Sequence, residues 1–175
     1  MKLKNSAGRL RHNTCMDRER PNTFSRCLIL AFIAGFCSVL IFHQGILSIL
    51  HALGVTPATP FPYGPTKPFG LPQIWSLAFW GGVWGILFAL VNRSFPGGAG
   101  YWLLSLIFGA IEPTLVAWFV VLPLKGLPGG GGWKPSGTAT GLMVNATWRV
   151  GTAFTLRALN GWWALGRPKA SPPGQ

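Results

Sequence analysis

The sequence predicts an all-α polytopic membrane protein, with four transmembrane helices packed as a bundle. Three observations carry that expectation. The chain is basic yet scarcely charged: Lys and Arg number 15 against 3 Asp and Glu, a formal charge of +12, while only 10% of its 175 residues are charged and 49% are hydrophobic. The apolar residues are gathered into long stretches almost free of charge. Most of the basic residues fall on one side of those stretches. A soluble domain is about 25% charged, and a nucleic-acid binder collects its basic groups into a patch, so neither class fits. The hydrophobic content also argues against a disordered chain.

Residues 1–26 form a basic tail holding Lys2, Lys4, Arg9, Arg11, Arg18, Arg20 and Arg26. Crossing ~30 Å of hydrocarbon takes roughly 20 apolar residues in a helix. The first span is expected over 27–50, inside a stretch with no charged residue from Cys27 to Thr66. It exceeds the ~7–15-residue apolar core of a signal peptide, so it is expected to be retained. Between 51 and 72 stand Pro57, Pro60, Pro62, Pro65, Pro68 and Pro72, a density that favours extended backbone. The second span is expected over 73–91, followed by a turn at Pro96-Gly97-Gly98. The third, over 101–122, is expected to be interrupted at Glu112 and Pro113. A loop with a run from Gly129 to Gly132 leads to the fourth, over 141–161. Arg149 makes this span the least apolar of the four. Residues 162–175, with three prolines, are expected to form a disordered tail.

Orientation follows from the bias of Lys and Arg in short loops. The N-terminal tail, Arg93, Arg157, Arg167 and Lys169 place eleven basic residues on one side, against Lys67, Lys125 and Lys134 on the other. Both termini are therefore expected in the cytoplasm. An even number of spans is then required, which supports the fourth. Trp75, Trp102, Trp162 and Trp163 stand at the expected helix ends, where tryptophan anchors to the interface. The basic tail reads first as a topological signal. Binding to anionic lipid or nucleic acid is the sharper alternative, but Asp17 and Glu19 dilute the charge and Phe24 is the tail's one phenyl ring for stacking on bases.

No cofactor or metal is expected. Cys15, Cys27 and Cys37 form no Cys-x-x-Cys pair. Only one span holds histidine, so a haem cannot be held between histidines on two helices of one chain. His43 falls near the outer interface, where it is expected to reach water, and Gln44 beside it could bond Ser48 one turn on. The glycine run before Trp133, Lys134 and Pro135 lacks the Gly-Lys-Ser/Thr of a phosphate loop. With Asp17, Glu19 and Glu112 the only acids, no Ser-His-acid set is credible. Small residues at four-residue spacing, Ala31 with Gly35, Gly81 with Gly85 and Ala89, and Ser105 with Gly109, allow close helix approach. The Gly81 stripe serves equally as an internal seam or a dimer contact.

Glu112 and Arg149 form an expected intramembrane ion pair. Glu112 lies 11 residues before Pro123 and Arg149 nine after Thr140, so antiparallel neighbours would hold both at a depth of ~14–16 Å. Each charge alone would cost ~2.5–3.5 kcal/mol on insertion scales. Asn145, Arg149, Thr152 and Asn160 fall on one stripe of the fourth helix. Ser105, Gly109 and Glu112 share a face of the third, and Pro113 leaves the carbonyl of Gly109 without its helical donor. Two readings stand side by side: a structural pair that selects one helix arrangement, and a proton or substrate site lined by Asn145, Thr152, Ser105, His43 and Gln44.

Ala34-Gly35-Phe36 with Val39–Gly45, Ser76–Phe88 (SLAFWGGVWGILF) and Ala117–Gly126 (AWFVVLPLKG) resemble a family of uncharacterised bacterial four-span inner-membrane proteins, over roughly residues 30–160. The resemblance implies a membrane bundle and brings no activity, substrate or catalytic residue. A structural or accessory membrane protein, in contact with lipid and with copies of itself or other membrane proteins, is the first functional expectation. A small transporter or channel is the second. An enzyme or haem carrier is disfavoured.

Overall fold

The computed structural model describes residues 21–66, 69–91, 94–95 and 98–165. The tail residues His12 and Cys15, and most basic residues used to assign orientation, lie outside the described residues. Helix α1 (Pro21–Ser38) passes through a π-helical turn, Val39–His43, into α2 (Gln44–Ala52), making one long rod. Proline at its head suits a helix start, where its missing N–H leaves no bond unmade. The rod starts ahead of the expected residue 27 because polar residues extend a helix beyond its apolar core.

The proline-rich segment is extended, as its composition requires, and also forms a short antiparallel pair. Strands β1 (Pro65–Thr66) and β2 (Leu71–Pro72) align Pro65 with Pro72 and Thr66 with Leu71. The Thr66 hydroxyl donates to the Leu71 carbonyl at 2.8 Å. Gly70 closes the turn at φ +65°, a conformation that only glycine adopts without strain. Helix α3 (Gln73–Val91) then has the expected bounds.

Helix α4 (Ala99–Val116) is not interrupted at Pro113. It runs through the proline and widens one turn later into a π-helical segment, Ala117–Val121, ending in α5 (Leu122–Leu124). The lost donor loosens the ladder without breaking it. The glycine run folds as a single 3₁₀ turn, Gly129–Trp133, with Trp133 against Trp118 at 5.9 Å between centroids.

Helix α6 (Pro135–Leu165) has 31 residues, longer than the expected 141–161. It takes in the first residues of the expected disordered tail, and residues 166–175 lie outside the described residues. Among the described residues, three helices are long and apolar enough to cross a membrane: Phe24–Ala52, Gln73–Val91 and Ala99–Leu124. Helix α6 is not one of them by composition. It nonetheless lies along the whole first rod. Val144 packs with Leu47 and Leu50 near one end, and Leu156 with Leu30, Ala31 and Ala34 near the other.

Candidate functional site

The glycines at the centre explain how the helices come close enough to build a site. A Cβ on Gly35 would collide with the carbonyl of Gly81, and one on Gly85 with the carbonyl of Ala31. The stripes of α1 and α3 therefore meet within one chain, and backbone lies on backbone. This contact lets the indole of Trp148, from α6, reach the Gly35 carbonyl with an N–H···O bond of 3.0 Å. A buried indole N–H without a partner would be costly.

Helices α4 and α6 meet through a second small residue. A Cβ on Gly109 would strike the Cβ of Arg149, so the arginine stem crosses α4 at that glycine. One turn toward the α6 N-terminus, the Asn145 amide donates to the Thr114 hydroxyl at 2.8 Å. Thr114 in turn lies 3.4 Å from the Gly141 carbonyl. Thr152 is fully buried and returns its hydroxyl to the Trp148 carbonyl of its own helix.

Arg149 is completely buried, and Nε, Nη1 and Nη2 all lack hydrogen-bond partners. The guanidinium lies over the ring of Phe88, 3.7 Å from its centroid, and 4.9 Å from that of Phe108. Aromatic faces attract a cation through the ring quadrupole, worth about 2 kcal/mol or more when desolvated. These rings belong to a larger set. Phe88, Phe95, Tyr101 and Phe108 pack with centroids 6.0–6.5 Å apart. Arg157 lies over Tyr101 at 3.8 Å on another side of that set.

Glu112 stands in electrostatic reach of Arg149. Its Oε2 is buried without a hydrogen-bond partner, as are the guanidinium nitrogens, so the two groups share a level and a field without forming a bonded pair. Helical geometry sets the common level. The aromatic cage, drawn partly from a third helix, takes the guanidinium instead. Ser105, on the same face of α4, is fully buried with an unpartnered hydroxyl.

His43 and Gln44 belong elsewhere, at the π turn of the first rod. His43 is half-buried and its Nδ1 is enclosed without a partner, so this nitrogen does not reach water. Gln44 is fully buried, and its Oε1 accepts the Phe61 N–H at 2.8 Å. That bond ties the proline-rich loop to the rod, with Phe61 held at φ +48°. Ser48 donates to the backbone carbonyl of Gln44, not to its side chain. Sequence reasoning misses Thr114, Phe88 and Phe108. The available signal for Thr114 is a hydroxyl inside an apolar span, where such groups bond across helices. Among the described residues no group of three or more His, Cys, Asp or Glu could hold a metal ion. No family model, curated protein or solved structure matches the chain.

Proposed function

We propose that this chain is a four-span integral protein of a bacterial inner membrane, with both termini cytoplasmic, in a structural or accessory role. One observation carries the reading: α6 lies along the full length of the apolar first rod and turns its polar side chains inward. A helix that accompanies a spanning helix from end to end crosses the same thickness. Its polar groups serve as glue between helices, as in Asn145–Thr114 and Trp148–Gly35. The resemblance to bacterial four-span proteins, the basic tail and the one-sided loop charge support the same topology. Lipid, and copies of this chain or other membrane proteins, are the proposed partners.

The unpartnered groups of Arg149, Glu112 and Ser105 favour a second reading, a small transporter or channel. Flux into liposomes separates the two. An accessory protein leaves proton and ion flux at the protein-free level. Flux that depends on the protein and disappears in Glu112→Gln would establish transport. Resistance of the protein to alkaline carbonate extraction tests membrane integration itself.

A further inference from the structure

We propose that the β1–β2 hairpin between the first rod and α3 is a lipid-contacting element, with Tyr63, Phe69 and Leu71 set into the polar–apolar boundary of the outer leaflet. Its level in the bundle follows from its contacts. The Phe61 N–H donates to Gln44, and the N–H groups of Gln73 and Ile74 at the head of α3 donate to the carbonyls of Gly64 and Pro62 at 2.9 Å. Helix α3 therefore starts level with Gln44, as its antiparallel register along the rod, Gly35 at Gly81 and Ala31 at Gly85, also requires. The 19 residues of α3 rise ~28 Å, close to the ~30 Å of hydrocarbon, so its head marks the boundary. From Gln44 the rod runs on to Ala52, a further ~12 Å, and the loop descends beside it to reach the hairpin.

The side chains at that level do not suit water. Phe69 is 83% exposed, Tyr63 69% and Leu71 53%, and large apolar side chains exposed together mark an interaction surface. The backbone does not suit deep hydrocarbon either. Among the described residues β1 and β2 pair only with each other, so their outer edges have no strand beside them, which is costly in the bilayer core. The boundary answers both, because the side chains turn to acyl chains while the edges meet water and headgroups. Pro62, Pro65, Pro68 and Pro72 ease the placement, since proline brings no N–H that needs a partner. A two-stranded hairpin is marginal in water alone, so lipid contact also supports it.

Composition and continuity favour lipid over a protein as the occupant. From His51 to Val91 the chain has Lys67 as its one Lys or Arg, and no acid. A lysine among aromatic residues is the composition of an interfacial anchor, its ammonium suited to lipid phosphate. Exposed aromatic residues also continue from the hairpin along α3, where Trp75, Phe79 and Trp80 are about half exposed on a helix apolar enough to span.

The proposal rests on the membrane reading for the lipid itself, and carbonate extraction tests that reading separately. The full chain, with its native cysteines replaced and Phe69→Cys introduced, is labelled with a nitrobenzoxadiazole dye and placed in nanodiscs of phosphatidylcholine and phosphatidylglycerol. Ser136→Cys, at the head of α6, is the aqueous control. The label at 69 is expected to emit to the blue of the control and to be quenched by iodide at least threefold less. Nitroxide on the lipid headgroup or high on the acyl chain is expected to quench it more than nitroxide near the chain end. Tyr63→Cys is expected to give the same pattern, and carries the test if Phe69→Cys does not give a monodisperse protein. Labels as open to iodide as the control, in a chain that resists extraction, overturn this proposal and leave the membrane reading standing. Strongest quenching from the chain end overturns it too, by placing the hairpin in the bilayer core. Protection from iodide without quenching by any lipid nitroxide makes a protein the cover, and likewise overturns it.

Discussion

Arg149 holds its charge against two phenyl faces instead of a carboxylate, and this changes what its substitution should do. Burying a guanidinium in a span costs ~2.5–3.5 kcal/mol on insertion scales, and cation–aromatic attraction of about 2 kcal/mol offsets most of it. Arg149→Met keeps the length and removes the charge. It is expected to leave the thermal midpoint of the detergent-solubilised protein unchanged or raised, whereas Arg149→Glu sets an anion against the negative ring faces and should prevent assembly. By the same reasoning, exchanging the charges of Glu112 and Arg149 should not restore folding, although a directly bonded pair would tolerate it. Membrane levels of the single and exchanged variants check this. The shared depth of the two residues is legible in the sequence because rise per residue is fixed. The direction of a long flexible side chain is not, and here it is decided by Phe88 on another helix. Gln44 is similarly legible as a polar residue in a span, but its partner, Phe61, lies 17 residues away across an irregular loop.

At the scale of elements, the seam between α1 and α3 depends on residues without side chains. Even one methyl at Gly35 meets the Gly81 carbonyl, part of a backbone that cannot swing aside. Gly35→Ala is therefore expected to destabilise by ~1–3 kcal/mol or more, the cost of overpacking, and to disturb the Trp148 bond to the same glycine. Gly45→Ala, on the same rod with open space around its Cβ position, is the matched control and should be near neutral. Thermal unfolding monitored by tryptophan fluorescence distinguishes the two. Between α4 and α6, a double-mutant cycle of Asn145→Ala and Thr114→Ala should return a coupling of roughly 0.6 kcal/mol, the average for hydrogen bonds between spanning helices. The small-residue spacing is visible in the sequence, because it is a periodic pattern. The choice between an internal seam and a dimer contact is not, because the same spacing serves both. The π turns are not visible either. One extra residue in a turn rotates the remainder of the helix by about 100°, and in the first rod this happens just before Gln44, whose side chain the loop then engages.

For the whole molecule, the question is whether three helices cross or four, and α6 decides it. Its composition falls short because Arg149 and the polar stripe lower its hydropathy, yet Arg149 and Thr152 are buried within the protein. A hydropathy scale scores residues singly and cannot see that a polar face is covered. Length raises no obstacle, since 31 residues rise ~46 Å, more than the ~30 Å of hydrocarbon. The alternative, α6 lying on the outer surface, would strip it from α1 and expose Arg149, Trp148 and Thr152. The two arrangements put the C-terminal end on opposite sides, so labelling separates them. In a variant with Cys15, Cys27 and Cys37 replaced by serine or alanine, single cysteines are introduced at Asn5, Thr59, Ser136 and Ser171. Four crossings predict that an impermeant maleimide applied to intact spheroplasts labels Thr59→Cys and Ser136→Cys at once. Asn5→Cys and Ser171→Cys would then react only after permeabilisation. Three crossings predict the same for Asn5→Cys, Thr59→Cys and Ser136→Cys, with Ser171→Cys labelled from outside. Labelling of Ser171→Cys in sealed spheroplasts would therefore remove the fourth span, and with it the even count that brings both termini to the basic side.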